Sequence, residues 1–395
     1  MRRCIPVLLS VSLLGGLPGG VGAQVPFTAL GLGYPVAPVD ARVAALGSTG
    51  VGFLGNTFSL RNPAELTNHP TSAVSVTLAP EGAEVKAASR TNDTGRSRVP
   101  IVRAVVKLGN WAAGVGFGSE LDQDFEIRFQ DTLATSVGRF PFEEVRIQDG
   151  GVSVIDFSLA RTLGPLSAGV GVERLTGSLR RSFSRRFSAD IDGSGDQLSL
   201  AGDETRLSYG AWRVKGGLSV NVADRFMAGG AIGYSGDLSA EVDTSSSVGT
   251  RRLPEDRSFS MPASLEFGAS FLPRERILVT AAAGWMGWSR LEGELGDTAA
   301  EDTRWVGGGV EWVGLKPIGI FVPLRLGGRF TELPFHPAGS EQPTERAVTM
   351  GLGTVFRNGL AELNAALEFG KRGDVDRTGL EETFQRFTLS FVLRQ

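Results

Sequence analysis

Histidine and cysteine, which carry much of enzyme and metal chemistry, are scarce in this sequence of 395 residues. There are two histidines, His69 and His336, and one cysteine, Cys4. Nucleophilic catalysis needs a base beside the nucleophile, and a zinc site needs several nitrogen or sulfur ligands together. His69 precedes Pro70 and His336 precedes Pro337, so we interpret both as polar loop residues. The sequence therefore predicts no catalytic residue, no metal site and no cofactor, and we expect a protein that is not an enzyme.

Clusters of charge are the remaining candidates for chemistry. The carboxylate pairs Glu143-Glu144 and Glu381-Glu382 lie in segments predicted to be long polar loops, where we expect solvated loop charge. The densest cationic cluster consists of Arg180, Arg181, Arg185 and Arg186, interleaved with Phe183 and Phe187. Guanidinium groups bind phosphate bidentately, so this cluster could contact the phosphates of membrane lipids. The interpretation we favour is a solvated loop or strand extension.

The overall composition excludes several classes of protein. With 40 basic and 43 acidic residues, the net charge of −3 gives no broad positive field, so we expect no nucleic-acid partner. The 54 glycines, 41% apolar residues and 21% charged residues argue against a disordered chain. Glycines and charges interrupt every apolar stretch after the amino terminus, which excludes a helical membrane protein.

The amino terminus has the pattern of a secretory signal peptide. Arg2 and Arg3 precede an apolar stretch from Ile5 to Leu17, and small residues follow it up to Ala23. We predict that residues 1–23 are removed and that Cys4 is lost with them. No disulfide or thiolate site would then remain.

The rest of the chain alternates with a period of two. One face is apolar and the other is small or charged in segments 166–173, 212–220, 264–271, 318–330, 361–369 and 387–394. This pattern predicts that Leu326 and Leu367 face lipid, whereas Gly327 and Ala366 face a lumen. A soluble sandwich alternates in the same way, so the connections between strands must decide between the two.

Short and long connections alternate strictly along the chain. The short ones are Gly109-Asn110, Leu163-Gly164-Pro165, Ala223-Asp224-Arg225, Pro273-Arg274-Glu275, Lys316-Pro317 and Arg357-Asn358-Gly359. The long ones are about Ser119 to Gly150, Gly177 to Glu204, Gly236 to Ser258, Arg290 to Asp302, Glu332 to Thr344 and Arg372 to Glu382. Tight periplasmic turns opposite long external loops are typical of outer-membrane barrels. We therefore predict an all-β fold, a transmembrane antiparallel β-barrel with both termini in the periplasm.

The strand count predicts about fourteen strands within residues 72–395. Thirteen strands run from Val99–Leu108 onward, and such a barrel needs an even number. Gly82–Arg90 supplies the fourteenth most simply. Ser72–Leu78 also resembles a strand, and Pro80 would bend the chain, so one long kinked strand or a short inner segment remain open. Sixteen strands are the alternative count.

The six tryptophans fall mostly near predicted strand ends. They are Trp111, Trp212, Trp285, Trp288, Trp305 and Trp312. This placement suits the aromatic girdles at membrane interfaces, although any one of them could be an ordinary packing residue.

Residues 24–71, which we name the hatch segment, do not fit the strand pattern. Asp40 is suited to cap one helical turn through Leu46, which Gly47 would end. Gly50 and Gly52 continue a glycine-rich stretch that is unsuited to face lipid. Such a segment could be a periplasmic tail or could fold into the lumen as a plug.

Three motifs in the hatch segment carry a resemblance to a known family. They are Asp40-Ala41-Arg42, the run from Ala45 to Gly52, and Arg61-Asn62-Pro63-Ala64-Glu65-Leu66. Together they resemble the amino-terminal signature of the FadL-type hydrophobic-compound transporters, and of related barrels that are partners of a protein-secretion system. The resemblance implies a fourteen-stranded barrel closed by an amino-terminal hatch, with Asn62, Pro63 and Ala64 as structural or gating residues.

The chain departs from that family at two places. Asn56 to Ser59 replace the acidic residues common before the Asn-Pro-Ala triplet, which leaves the subgroup open. Gln395 replaces the aromatic residue frequent at barrel ends, which bears on how the barrel-assembly machinery, an expected partner, reads the last strand.

The predicted function is passive uptake of hydrophobic small molecules, such as long-chain fatty acids, across the outer membrane of a Gram-negative-type envelope. Outer-membrane lipids would surround the barrel. The alternative is a barrel that binds secreted protein cargo through its external loops. An apolar lumen would favour transport, and a polar lumen with rigid external loops would favour cargo binding. A general porin ranks third, because a hatch would obstruct open diffusion.

Overall fold

The computed structural model describes most of the chain. The described ranges are 26–87, 90–134, 139–187, 199–200, 204–222, 225–246, 255–316, 321–356 and 359–395. The predicted signal peptide, residues 1–23, lies outside them, as do parts of the short connections at residues 223–224, 317 and 357–358.

The described residues form a closed antiparallel barrel of fourteen strands. The barrel strands are β2 (Ala73–Ala87), β3 (Arg90–Leu108), β4 (Trp111–Asp122), β6 (Arg139–Leu163), β7 (Leu166–Phe187), β9 (Glu204–Val222), β10 (Phe226–Ser235), β13 (Ser264–Arg274), β14 (Ile277–Met286), β16 (Thr303–Leu315), β17 (Val322–Glu332), β19 (Thr344–Phe356), β20 (Ala361–Asp374) and β21 (Leu380–Arg394). The first and last of these pair with each other, with Ser75 opposite Val392, and this pairing closes the sheet. The predicted fold is confirmed, and the sixteen-strand alternative is wrong.

Shorter elements accompany the barrel. The described short strands are β1 (Tyr34–Pro35), β5 (Phe125–Ala134), β8 (Ser199–Leu200), β11 (Leu238–Ser246), β12 (Arg257–Phe259), β15 (Thr298–Ala300) and β18 (Phe335–Pro337). The helices are α1 (Ala41–Ala44), α2 (Val375–Thr378) and the 3₁₀ helices Phe27–Ala29, Pro63–Asn68 and Trp288–Leu291. No helix among the described residues has the length and apolar character needed to cross a membrane.

The predicted faces of the strands are confirmed. Leu326 and Leu367 point out of the barrel, with 60% and 41% of their surfaces exposed. Ala366 points into the lumen and is 1% exposed, and Gly327 lies against residues of the hatch segment. Successive residues of a strand face opposite sides, so a single alternating segment determines both faces.

The start of the barrel is one long strand. Both predicted pieces, 72–78 and 82–90, contribute to β2, and the next strand already begins at Arg90. The register of β2 against β3 shifts between Thr77 and Ala79, directly before Pro80. Proline donates no hydrogen bond, and a bulge is where a strand tolerates it. The kinked-strand interpretation is therefore the correct one.

Several predicted long loops are in fact extensions of strands. β6 has 25 residues and β7 has 22, whereas about ten suffice to span a membrane. Their pairing continues as far as Phe142 opposite Phe187, and β5 adds a further antiparallel partner to β6. These long hairpins leave the barrel at the end opposite the tight turns.

Four tryptophans face outward and two face inward. Trp111, Trp212, Trp285 and Trp312 are exposed on the outer surface of the barrel, as a girdle requires. Trp288 and Trp305 are 1% and 8% exposed and lie inside. The girdle interpretation is wrong for these two, because Trp305 occupies an inward position of β16 and Trp288 begins a 3₁₀ helix that folds over the lumen.

Candidate binding site in the barrel lumen

The hatch segment, described from residue 26, contacts inward-facing residues on several sides of the barrel. α1 lies against β19, β20 and β21, and the 3₁₀ helix Pro63–Asn68 lies against β4, β6, β7 and β9. Val43, Leu46 and Phe53 of the segment are fully buried. A periplasmic tail would not have these contacts, because the segment packs against the inner face of the barrel wall.

Glycines of the barrel wall make room for the hatch segment. A β-carbon built on Gly169 would lie 2.6 Å from the Ala64 nitrogen, and one on Gly351 would lie 2.5 Å from the Ala45 β-carbon. Such separations are too short for any side chain, so glycine is required at these wall positions.

The Asn-Pro-Ala triplet lies at this interface. The Asn62 side-chain oxygen accepts a hydrogen bond from the Ala64 nitrogen at 3.0 Å and so caps the 3₁₀ helix that begins at Pro63. Its side-chain nitrogen donates to the carbonyl of Leu218 in β9 at 3.1 Å. Asn62 thus joins the hatch segment to the wall, while Pro63 and Ala64 pack beside wall glycines. A gating role for the triplet stays a prediction.

Glu65 is a buried carboxyl group whose role the sequence did not reveal. One of its oxygens accepts from the Gly52 nitrogen at 2.5 Å and from the Asn62 side chain at 3.3 Å. The other oxygen has no hydrogen-bond partner among the described atoms. Burial raises the pKa of Glu65 to about 8, so this group is mostly neutral at neutral pH. The Asn-x-x-Glu spacing from Asn62 to Glu65, which resembles a capping box, was the available signal.

Asp40 connects the two halves of the hatch segment. As predicted, it caps α1 by accepting from the Val43 nitrogen at 3.0 Å. It also accepts from the Phe58 nitrogen at 2.8 Å. The turn ends at Gly47, whose φ of 74° suits glycine.

Ion pairs attach the hatch segment to the wall. Arg42 pairs with Glu311 of β16 at 2.7 Å, and Arg61 pairs with Glu266 of β13 at 2.8 Å. From the wall, the Lys215 ammonium donates to the carbonyl of Leu60 at 3.1 Å. These contacts hold the segment from different strands.

A layer of buried charge lies near the start of the hatch segment. We define this charged layer as Glu81, Arg96, Arg98, Arg329, Glu345, Glu368, Arg372, Glu382 and Arg386. The Tyr34 hydroxyl donates to Glu345 at 2.6 Å, and the Phe27 nitrogen donates to Glu382 at 2.9 Å. The prediction of solvated loop charge is therefore wrong for Glu382, because the extended β21 directs it into the lumen.

The other predicted charge clusters are divided between the two faces of long strands. Arg185 points inward and pairs with Glu144 at 2.6 Å, so Glu144 is not a solvated loop charge either. Arg180 and Arg186 point outward and are exposed, as a solvated strand extension requires. Arg180 pairs there with Glu204 at 2.9 Å.

The two histidines have structural contacts. His69 is buried in the hatch segment, donates to the carbonyl of Thr57 at 2.8 Å, and has its pKa lowered to about 4, chiefly by burial. It is therefore not an ordinary loop residue. His336 lies 3.0 Å from Glu301 and 3.2 Å from the Ser340 hydroxyl. That hydroxyl donates to the carbonyl of Pro337 at 2.9 Å, which directs its hydrogen away from the imidazole. The described residues contain no cluster of three or more potential metal ligands.

The hatch segment pairs with a barrel strand where the pairing between two neighbouring barrel strands stops. β3 and β4 pair only from Leu108 opposite Trp111 to Val102 opposite Phe117. Farther from the tight turn, β4 pairs with β1, with Pro35 opposite Leu121. A strand of the hatch segment thus replaces β3 beside β4.

The lumen holds a cavity of about 150 Å³ between the segment around β1 and the opposite wall. Its lining combines apolar groups, such as Val36, Met286 and Trp288, with the charged Arg61 and Arg213. A cluster of buried apolar side chains lies beside this cavity, toward the long hairpins. This apolar cluster includes Leu32, Leu121, Val154, Leu175, Leu179, Leu207, Tyr209, Trp288, Leu291 and Phe335. Trp288 belongs to both the cavity and the cluster, so the two are continuous.

Comparisons with known proteins agree with this architecture. No family model matches the sequence, and no curated protein is similar to it in sequence. Among solved structures, a Pseudomonas aeruginosa FadL homologue superposes with a TM-score of 0.59 at 12% identity, over 91% of this chain and 99% of the other. The Pseudomonas putida toluene transporter TodX gives 0.57 at 18% identity, over 92% and 98%. The Ralstonia pickettii toluene transporter TbuX gives 0.54 at 16% identity, over 90% and 98%.

The chain has the FadL-type fold. The resemblance carried by the hatch motifs is confirmed at this level, since the likeness extends over nearly the whole of each neighbouring structure. In this FadL-type barrel, the cavity and the adjoining apolar cluster form the candidate binding site, and the hatch segment forms its floor.

Proposed function

We propose that this protein is a passive channel for hydrophobic small molecules in an outer membrane. The observation that carries the proposal is the apolar cluster inside the barrel, which adjoins a cavity above the hatch segment. Apolar solutes cross a polar saccharide layer poorly, and a water-filled pore does not favour them. Burial in the cluster would contribute roughly 25 cal/mol per Å² of apolar surface removed from water.

The outer surface supports a membrane location. Leucine, valine and phenylalanine side chains cover the outward face of the barrel strands, with tryptophans at several strand ends. The first barrel strand begins and the last one ends at the same end as the tight turns, with Ala73 opposite both Arg394 and Val105. We propose that this end faces the periplasm and that the long hairpins are external. Contact with lipids and with barrel-assembly machinery follows from this placement and remains a prediction.

The proposed route needs no chemical energy. A solute would enter between the long hairpins, bind in the apolar cluster and reach the cavity beside β1. It would leave where the hatch segment replaces β3 in the wall, when β1 separates from β4. Only two pairs of residues join these strands, together with a hydrogen bond from the Val36 nitrogen to the Glu120 carbonyl at 2.9 Å. Separation therefore breaks few hydrogen bonds.

The similar solved structures indicate only the chemical class of the solute, which is that of hydrophobic small molecules. They are named as a FadL homologue and as transporters of toluene. Long-chain fatty acids, which the sequence suggested, and neutral hydrocarbons are both members of the proposed class. The apolar cluster favours transport over the binding of secreted protein cargo, because a small apolar ligand needs an enclosed apolar surface and cargo does not.

Mass spectrometry of organic extracts from the purified barrel tests the proposal. We expect a retained hydrophobe, and we expect added toluene to displace it. Leu207→Ser in the apolar cluster should reduce the retained amount, whereas Leu218→Ser on the outer face of the same strand should not. Absence of any retained or added hydrophobe from all three proteins would contradict the proposed function.

A further inference from the structure

The cavity in the lumen is lined by six cations. They are Arg61, Arg98, Arg213, Lys215, Arg329 and Arg386. A cluster of cations beside an apolar cluster would ordinarily favour an amphiphilic anion such as a fatty-acid carboxylate. Whether it does so depends on how many of the cations are already neutralised.

Each of the six has a carboxylate within 3.0 Å. Arg61 pairs with Glu266 at 2.8 Å, and an Arg213 nitrogen lies 2.9 Å from Glu120. Carboxylates lie equally close to the remaining four, including Glu173 beside Lys215 at 2.9 Å. Most of these side chains are almost inaccessible to solvent. An entering carboxylate would therefore meet cations whose charge is already neutralised.

The lining also contains a carboxylate that neutralises no cation among the described residues. Glu332 accepts from the Arg304 backbone nitrogen at 2.8 Å. The described lining therefore offers a second anion no excess of positive charge. Moving an unpaired carboxylate from water into such a site is unfavourable because the charge loses its hydration, whereas an uncharged ligand avoids that loss.

We propose that Glu120 and Glu266 set the ligand class of this site, by neutralising Arg213 and Arg61 so that uncharged hydrophobic compounds bind and fatty-acid anions are rejected. This inference rests on the proposed channel function and deepens it. Glu266 is the more direct determinant, because it is the ion-pair partner of Arg61 and that guanidinium lies 4.1 Å from the centre of the Trp305 ring in the same cavity.

Equilibrium dialysis of the full barrel against nonanol and nonanoate at neutral pH tests the proposal, with a detergent-only blank for partitioning. The two ligands share a chain length and differ in charge. We expect nonanol to bind about ten-fold or more tightly than nonanoate. The carboxylate of nonanoate would be buried without a free cation to pair with, and the loss of a charge-assisted hydrogen bond changes affinity by about that factor. This comparison needs no variant, so it does not depend on any variant folding.

Glu266→Gln should raise nonanoate affinity by about ten-fold, because it frees the Arg61 guanidinium, and should leave nonanol affinity within a few-fold. Glu362→Gln in β20 is the matched control, since it removes the same charge and frees Arg394, which lies outside the cavity lining, and it should change neither affinity. In Glu266→Gln, the additional change Arg61→Met should abolish the gain.

The outcomes separate this inference from the proposed function. If nonanoate binds the unmodified barrel as tightly as nonanol does, the inference is overturned and the channel proposal stands. If Glu266→Gln and Glu362→Gln raise nonanoate affinity equally, general electrostatics is responsible and the role of Glu266 is refuted. If neither ligand binds any of the proteins, the proposed function itself fails.

Discussion

At the scale of single residues, two buried titratable groups of the hatch segment have opposite pH dependence. The pKa of Glu65 is raised by burial to about 8, above its ordinary value of 4.5, so its contribution to stability is present below 4.5 and is lost as pH rises through 8. The pKa of His69 is lowered to about 4 from 6.5, so its contribution is lost as pH falls from 6.5 through 4. Alkaline loosening of the hatch segment should therefore originate at Glu65.

We predict that Glu65→Gln removes the alkaline loosening. In the unmodified protein, protease cleavage within the hatch segment should accelerate between about pH 6.5 and about pH 8, above the range in which His69 titrates, because the carboxyl group of Glu65 loses its proton more readily in the unfolded segment. One proton changes the free energy by at most about 1.4 kcal/mol per pH unit. Glutamine occupies nearly the same volume and does not ionise, so the rate should stay flat. Glu84→Gln, at an exposed carboxyl on β2, serves as the control. Identical pH profiles for Glu65→Gln and the unmodified protein would refute the assignment.

At the scale of elements, glycines in the barrel strands leave the space into which the hatch segment packs. β9 contains two adjacent glycines that face opposite sides. A β-carbon on Gly217 would lie 2.9 Å from a Pro63 side-chain carbon, whereas one on Gly216 would meet only the Ile232 side chain, at 3.7 Å. The same residue type is thus required for packing at one position and is incidental at the next.

We predict that Gly217→Ala displaces the hatch segment and that Gly216→Ala does not. The added methyl group at residue 217 overlaps Asn62 and Pro63, and overpacking of this kind costs about 1 to 3 kcal/mol. Ion conductance in planar bilayers, with protease sensitivity of residues 26–71, measures the displacement. Both barrels should still show the heat-resistant compact form on gels. Equal conductance of the two variants would mean that the hatch segment is not seated against β9.

At the scale of the whole molecule, closure of the barrel does not require the hatch segment that occupies the lumen. Every barrel strand has its two neighbours after residue 72, and the hatch segment adds only the short pairing of β1 with β4. Its ion pairs and its contacts with wall glycines nevertheless reach several strands. The hatch segment therefore depends on the barrel more than the barrel depends on it.

We predict that deletion of residues 27–60 leaves a barrel that assembles and conducts. The intact protein should show little steady current in a planar bilayer. The truncated protein should show stable open channels, because the deletion removes residues that occupy the lumen and so exposes the charged layer. A matched control deletes a similar length from the external hairpin of β5 and β6, which should leave the current low. Porin-like conductance of the intact protein would favour the general-porin alternative, and a closed truncated barrel would remove the gating role of Asn62, Pro63 and Ala64.

The sequence by itself determined the features that depend on neighbours along the chain. Alternation with a period of two is local, so it correctly placed Leu326 outward and Ala366 inward. The alternating lengths of the connections led to the barrel and to fourteen strands, and capping chemistry placed Asp40 at the start of α1. Motif spacing identified the triplet at Asn62, and the structure places it at the interface between the hatch segment and β9.

Only the tertiary structure decided what each inward residue meets across the lumen. The partners of Arg61 and Arg42 lie more than 200 residues away, at Glu266 and Glu311, and no spacing rule relates them. Glu382 and Trp305 were misplaced in a loop and in a girdle because their strands extend or turn them inward. A period of two fixes the face of a strand, but the lumen brings together residues from distant strands, and only closure of the barrel determines which of them touch.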